Sequence, residues 1–339
     1  MTGLYAFKTY GMNMKLPTFD DVVAAQKRIA GLAVRTHLIR HPALDEAVGG
    51  RVLIKPEIFQ RVGAFKFRGA YNRISMVDRE RFSGGVVACS SGNHAQGVAH
   101  AATLLGHASA IVMPSDAPRL KIARTRAFGA DVVLYDRVSE DREAIATSIA
   151  ADRRADFVHP FDDAGVIAGQ GTAGLELAED AALAGDVLDA VVVPCSGGGL
   201  ASGVAIAVKQ LMPAARIIIV EPESFDDFAR SLKSGVHETN ERATGSIADA
   251  LMASSPGRLT FDIGQRYFDD AVTVSDDELR QAMRFAFGEL KLVVEPGGAA
   301  ALAALLSGRV DVKGRTVGVL LTGGNVDAGT FAQIVAATS

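Results

Sequence analysis

The stretch LDAVVVPCSGGGLASG (188–203) decides the fold. Its first half is an apolar run without polar alternation, the pattern of a strand buried on both faces. Gly197, Gly198 and Gly199 then interrupt it, and small apolar residues continue at helical spacing to about residue 211. A strand, a glycine turn and a helix in that order make half of a βαβ unit. The turn brings unpaired helix-terminal N–H groups to bare backbone, a receptor suited to a phosphate. A dinucleotide fingerprint would need G-x-G-x-x-G and an acidic residue about twenty positions on. Glu221 meets the second condition. Three consecutive glycines do not meet the first, and a single phosphomonoester fits better than a pyrophosphate.

The alternation extends in both directions. RVLIKPE (51–57), GVVACS (85–90), HASAIVM (107–113), ADVVLY (130–135), RIIIV (216–220) and TVGVLLT (316–322) read as further buried strands. Helical patterns lie at about 94–105, 116–128, 139–151, 165–183, 276–290 and 297–307. Thr18 and Asp21 have the spacing of a capping box opening a helix that stops near Gly31. The expectation is an α/β protein with a mainly parallel sheet covered on both faces.

Ligands of such sheets sit at the carboxyl ends of the strands, and three more unusual loops fall there. SSGNHAQG (90–97) offers serine hydroxyls and a helix start, a carboxylate receptor or simply a helix capped by Ser91 with His94 at the surface. EPESFDD (221–227) sets Glu221 and Asp227 around a carbonyl, either oxygen ligands for a hard cation or solvated acids at a helix start. TGGNVD (322–327) offers the neutral hydroxyl of Thr322, or an ordinary glycine turn.

The 339 residues are 48% hydrophobic and 22% charged, an ordinary globular balance with length for two domains. A net charge of −4 and no basic block give no field for nucleic acid. Cys89 and Cys195 make no disulfide framework and have no metal spacing, so a reducing compartment is the natural setting. Residues 1–17 lack a signal-peptide core, being broken by Lys8, Gly11 and Lys15, and read as a docking arm or a frayed tail. No apolar run is long enough to span a membrane. A cytoplasmic protein is expected.

GAFKFRGAYN (63–72) places Lys66 between Phe65 and Phe67, just ahead of a helical pattern. An ammonium in apolar surroundings has its charged form disfavoured, which brings the amine toward the nucleophilic range used in Schiff-base chemistry. The alternative is a surface lysine lying along neighbouring rings.

GAFKFRGA, SSGNH, SGGGL and a late TGGN, in that order, resemble the fold-type II pyridoxal-phosphate enzymes, in particular the threonine/serine dehydratase and serine racemase group. HPFDD (159–163), IAGQGTAGLE (167–176), SIADAL (246–251) and EPGGAAALAAL (295–305) look like the same group, so the resemblance covers nearly the whole chain from about residue 18. It implies a tryptophan synthase β-like architecture of two open, twisted, mostly parallel sheets. Residues 1–79 and 164–339 would form a large cofactor-binding domain, and 80–163 a small mobile one with Gly84–Gly85 as hinge.

It also implies that Lys66 links to pyridoxal 5′-phosphate with Phe65 beside the ring, and that Asn93 bonds the phenolic oxygen. Ser196, Gly197, Gly198, Gly199 and Leu200 would hold the phosphate, and Thr322 would meet the pyridine nitrogen. Ser90, Ser91, Gly92, Asn93 and His94 would receive the substrate carboxylate, with Lys66 and Ser91 as catalytic groups on opposite faces. Glu221, Asp227 and the Phe225 carbonyl match a magnesium or calcium site found in part of the group. Ala64 stands where the group commonly has serine, His37 where it commonly has proline, and Phe161 favours the dehydratases over the animal-type racemases. The implied activity is an L-threonine/L-serine ammonia-lyase working as a homodimer or tetramer. Serine racemase, hydroxyaspartate lyase or racemase, and a non-catalytic pyridoxal-phosphate-binding protein are the alternatives.

Overall fold

The computed structural model describes residues 15–337 apart from 118 and 137. Most of the segment read as a docking arm or tail, residues 1–14, lies outside the described residues. The strands are β1 (Arg51–Pro56), β2 (Val86–Cys89), β3 (Ser109–Pro114), β4 (Asp131–Tyr135), β5 (Asp156–Phe157), β6 (Ala190–Pro194), β7 (Arg216–Pro222), β8 (Asp270–Val274) and β9 (Thr316–Leu321). The helices are α1 (Phe19–Ile29), α2 (Pro42–Val48), α3 (Lys66–Ile74), α4 (Asn93–Leu104), α5 (Arg119–Ala127), α6 (Arg142–Arg153) and α7 (Ala164–Leu183). They continue as α8 (Gly199–Leu211), α9 (Asp227–Ser234), α10 (Arg258–Tyr267), α11 (Asp276–Gly288), α12 (Ala300–Leu306) and α13 (Ala328–Ala336).

The strands form two sheets, one ordered β1-β9-β6-β7-β8 and the other β4-β3-β2-β5, and every neighbouring pair within them is parallel. Both faces of the larger sheet are covered. Val52, Ile54, Val192 and Val319 point into a core with Leu279, Met283 and Leu302 of α11 and α12. Leu53, Val191, Val193 and Ile219 point the other way, onto Leu177 of α7 and Val204 and Val208 of α8. That alternation within uniformly apolar strands is why no polar period was visible in the sequence. The smaller sheet repeats the scheme, with Ile111 and Met113 against α3 and α4 and Val87 and Val112 against Ala146 of α6.

Small residues in IAGQGTAGLE serve helix packing. A Cβ at Gly203 of α8 would lie 2.3 Å from the Ile167 carbonyl and 2.8 Å from Gly171 Cα, so the backbones of α7 and α8 meet directly. The expected capping box at Thr18 and Asp21 opens α1. No helix among the described residues is long and apolar enough to cross a membrane.

One feature of the interior is ionic. Arg68 of α3, with no exposed surface, donates to Glu57 through Nε (2.7 Å) and Nη2 (2.8 Å) and to Glu176 through Nη1 and Nη2 (both 2.8 Å). Lys55, equally buried, donates to Glu176 (2.6 Å) and to the Thr36 carbonyl (2.6 Å). Two cations and two carboxylates thus form a neutral buried set. It joins β1, α7 and the start of α3, two residues beyond Lys66.

Candidate active site

The carboxyl ends of β1, β9, β6 and β7 in one sheet, and of β2 in the other, point their loops toward a common region. Ala64 forms an antiparallel bridge with Gly323, and the Phe65 N–H donates to the Thr322 carbonyl (3.0 Å). The lysine segment is therefore stitched to the end of β9. Lys66 opens α3, and its Nζ donates to the Pro160 carbonyl at 2.8 Å, 5.1 Å from the centre of the Phe65 ring. Burial pushes the pKa of this amine down to about 8. Burial alone, without a basic partner, thus brings the amine close enough to physiological pH for a substantial neutral, nucleophilic fraction.

The segment that accepts from Lys66 also organises its surroundings. His159 Nδ1 accepts from the Phe161 and Asp162 N–H groups (3.3 and 2.8 Å), closing a turn. Asp162 accepts from the Arg258 and Leu259 N–H groups (3.0 and 2.8 Å), supplying the side-chain cap that Gly257 cannot give α10. The Phe161 ring lies so close under the glycine loop that a Cβ at Gly197 would be 2.4 Å from it. Gly198 has φ +90°, a left-handed conformation that disfavours other residues, and opens α8 with no side-chain cap. Among the described residues no protein acceptor meets the Gly199, Leu200 and Ala201 N–H groups. Three donors at the positive end of a 13-residue helix suit a phosphate monoester. Ser196 is engaged elsewhere, its Oγ accepting from the Ala253 N–H at 3.0 Å.

At the second sheet, α4 starts at Asn93 with Gly92 as an uncapped N-cap. The cap reading of Ser91 is therefore replaced: Ser90 Oγ accepts from the Gly92 N–H (3.2 Å), and no side chain caps the helix. His94 is not at the surface but buried. Its Nε2 faces the Val158 carbonyl at 3.1 Å and must carry the proton, since a carbonyl only accepts. Burial, with Lys66 nearby, lowers its pKa to about 3, so the ring stays neutral and Nδ1 is left as a buried acceptor without a partner. The imidazole offers no charge to a carboxylate; the helix-start N–H groups do. Asn93 donates to Glu295 Oε1 at 2.6 Å, and burial, followed by the Asp249 charge, raises that carboxyl to about 7.

Glu221 and Asp227 flank the phosphate-type loop on its other side. Glu221 accepts from the Phe228 and Ala229 N–H groups (3.1 and 2.8 Å), and Asp227 accepts from Asn240 at a close 2.5 Å. Burial raises Asp227 to about 7 and, with Asp227 beside it, raises Glu221 well above the carboxylate range. Asp227 Oδ2 is buried without a partner. Among the described residues no three His, Cys, Asp or Glu side chains gather as a metal site, so a third protein ligand would have to be a backbone carbonyl. Cys89 is pushed up to about 11 by burial and Cys195 well above its usual value, which removes both as nucleophiles at neutral pH.

Sequence reading did not single out Pro160, Asp162 or Glu295 as parts of this region. Pro160 contributes only a carbonyl, which no side-chain pattern announces. Glu295 was visible only inside EPGGAAALAAL, a string dominated by its small residues.

A family model described as "Pyridoxal-phosphate dependent enzyme" matches residues 29–323. The chain is 44% identical over 323 residues to an L-threo-3-hydroxyaspartate ammonia-lyase of a Pseudomonas species, covering 95% of this chain and 99% of that protein. Two solved structures align over most of it. A T.th. threonine deaminase does so with TM-score 0.87 and 43% identity, covering 92% of this chain and 99% of that one. A maize serine racemase does so with TM-score 0.88 and 38% identity, covering 94% and 97%.

Proposed function

The chain belongs to the pyridoxal-phosphate dependent enzymes, and from that premise we propose that it is an ammonia-lyase for small L-β-hydroxy amino acids, releasing a 2-keto acid and ammonia. Threonine and serine are the leading substrates. The observation that carries the reading is the pairing of the Lys66 amine, low in pKa, with the uncapped glycine start of α8, both touching the 159–163 segment. The residues present fit the cofactor. Three free helix-start N–H groups suit its phosphate, the lysine suits its aldehyde, and the amide of Asn93 suits its phenolic oxygen.

In this reading the main-chain N–H groups of Ser196, Gly197, Gly198, Gly199 and Leu200, joined by that of Ala201, hold the phosphate while the Ser196 hydroxyl stays on Ala253, Phe65 lies beside the ring, and Thr322 meets the pyridine nitrogen. Pyridoxal phosphate, when bound, supplies the electron sink for the bond broken at the α-carbon. The chain does the rest. The start of α4, from Ser90 to His94, receives the substrate carboxylate through its N–H groups and serine hydroxyls. The Lys66 amine removes the α-proton and hands it to the departing β-hydroxyl. A neutral Thr322, unlike a carboxylate, does not favour a protonated pyridine, which suits loss of the β-hydroxyl over transamination. Ser91, on the opposite face, returns a proton when racemisation occurs. Residues 80–163 move as a unit to exclude water.

A second reading, L-threo-3-hydroxyaspartate as the preferred substrate, is favoured by the 44% identity to a lyase of that name over nearly its whole length. We further propose that Glu221, Asp227 and the Phe225 carbonyl bind magnesium or calcium, since the partnerless Asp227 Oδ2 and two carboxyls raised by burial suit a cation. A cytoplasmic homodimer or tetramer completes the proposal.

The test is purified protein with L-serine, L-threonine and L-threo-3-hydroxyaspartate, following keto acid, ammonia and amino-acid chirality together. Stoichiometric keto acid and ammonia, abolished by Lys66→Ala, is the expected result. D-serine outpacing pyruvate would make the protein a racemase, and the ranking of the three substrates decides between the two lyase readings.

A further inference from the structure

Asn93 is held by more than its place at the start of α4, and the direction of every bond around it can be worked out. The Val62 carbonyl can only accept, so the group of Asn325 facing it at 2.7 Å is Nδ2. The Arg124 guanidinium can only donate, and it meets Asn325 Oδ1 at 3.3 Å, which agrees. Asn325 Nδ2 then gives its second hydrogen to Asn93 Oδ1 at 2.8 Å. Asn93 Nδ2 is left facing Glu295 Oε1 at 2.6 Å. Glu295 is itself fixed. It is 3% exposed, its N–H donates to the Gly323 carbonyl (3.0 Å), and a side chain at Gly323 would run into its carboxyl, with a Cβ only 2.2 Å from Oε1.

We propose that Glu295 and Asn325 form a two-sided clamp that fixes the Asn93 amide in one orientation, leaving a single Nδ2–H for an acceptor oxygen of the cofactor. Glu295 and Asn325 are positioning residues. A turned amide would present Oδ1 to an oxygen that is itself an acceptor, replacing a hydrogen bond by a repulsion. The inference rests on the assignment of Asn93 beside the cofactor made above.

The experiment titrates apoprotein with pyridoxal phosphate by fluorescence and records the absorption spectrum of the loaded protein. The variants are Asn93→Ala, Glu295→Leu, Glu295→Gln and Asn325→Ala. Glu295→Leu removes the acceptor and is expected to weaken cofactor affinity by about tenfold, the loss expected for one ligand-orienting hydrogen bond, and to shift the visible band. Glu295→Gln keeps a carbonyl oxygen toward Asn93 and should restore most of the affinity and the band position. A purely structural role would not distinguish the two by spectrum. Asn325→Ala, which opens the clamp from its other side, should reproduce the Glu295→Leu spectrum and decides the matter if Glu295→Leu does not fold. The proposal is overturned if Asn93→Ala impairs binding while Glu295→Leu or Asn325→Ala binds and absorbs as the wild type. It is overturned equally if Glu295→Gln is as impaired as Glu295→Leu. Should Asn93→Ala itself change nothing, the placement of Asn93 beside the cofactor fails, and the clamp with it.

Discussion

Replacing Arg68 by methionine removes one charge from a buried set of four while keeping most of the unbranched stem of the side chain. In the wild type two cations, Arg68 and Lys55, face two carboxylates, Glu57 and Glu176. After Arg68→Met, Lys55 alone faces both carboxylates, and Glu57 keeps only the Thr36 hydroxyl at 2.5 Å. A buried carboxylate stripped of its partner costs about 3–5 kcal/mol. For a chain of 339 residues that lowers the unfolding midpoint by roughly 4–7 °C, at about 1.4 °C per kcal/mol for an unfolding entropy of about 2.1 cal/mol/K per residue.

The pH dependence gives a second handle. Burial would raise the Glu176 carboxyl, but Arg68 and then Lys55 more than reverse that, and it sits below its usual value. A lowered carboxyl contributes stability above its unfolded pKa and loses it as pH falls through the folded one. The deficit of the variant should therefore shrink as pH is taken from 8 toward about 4, the unperturbed range of a glutamate. Urea unfolding of apoprotein followed by circular dichroism is the assay, with Arg68→Met/Glu57→Gln as the charge-balanced comparison. An Arg68→Met variant within about 1 kcal/mol of wild type, or a double variant no better than the single one, would refute the neutral-set reasoning.

The Lys66 amine, lowered to about 8 by burial, gives a stability that rises with pH between about 8 and the unfolded lysine value near 10.4, because only the unfolded chain is protonated there. Lys66→Met should abolish that rise, and borohydride-trapped capture of pyridoxal phosphate by wild type should have its midpoint near pH 8. Gly198→Ala meets a φ of +90° and places a Cβ 2.4 Å from the Phe228 ring, so it should cost about 1–3 kcal/mol in the backbone alone and weaken cofactor binding at equilibrium dialysis. Asp227, raised to about 7, opposes folding increasingly as pH climbs from about 4 to 7, because the folded chain then holds the extra proton. Asp227→Asn should thus unfold a few degrees higher than wild type in chelator at pH 8, and it should lose the stabilisation that added magnesium or calcium gives the wild type. No response of wild-type unfolding to either ion would remove the cation site.

The long elements were readable because their patterns were pure. Valine and isoleucine runs such as 190–194 and 216–220 have one interpretation once helices separate them, and the glycine turn before α8 fixed the sense of the chain. Strand β8 was not read, since DAVTV at the sheet edge is half exposed and lacks a continuous apolar run. Strand β5, two residues long, has no pattern to detect. Helices α2, α10 and α13 carry no pattern that the sequence reveals, and of α9 only its acidic start was visible; α10 escapes in part because its cap comes from Asp162, nearly a hundred positions earlier in the sequence. The same limit applied at the site. Nothing in the sequence announces that His94, Arg68 and Glu295 are buried, because the partner of each comes from a distant segment: Val158, Glu176 and Asn93 respectively.

The 157–163 connection has a consequence for anyone recombining this chain with a relative. It is the return path from the smaller sheet to the larger. It also carries the carbonyl that holds Lys66, the ring beneath the glycine loop and the carboxylate that starts α10. A chimaera joined at residues 80 and 163 would import all three from the donor and set them against a recipient glycine loop and a recipient α10. A junction placed before residue 157 would keep them with their native partners. Crossover position in a library of such chimaeras is therefore predicted to matter more for recovery of folded, cofactor-loaded protein than the number of residues exchanged.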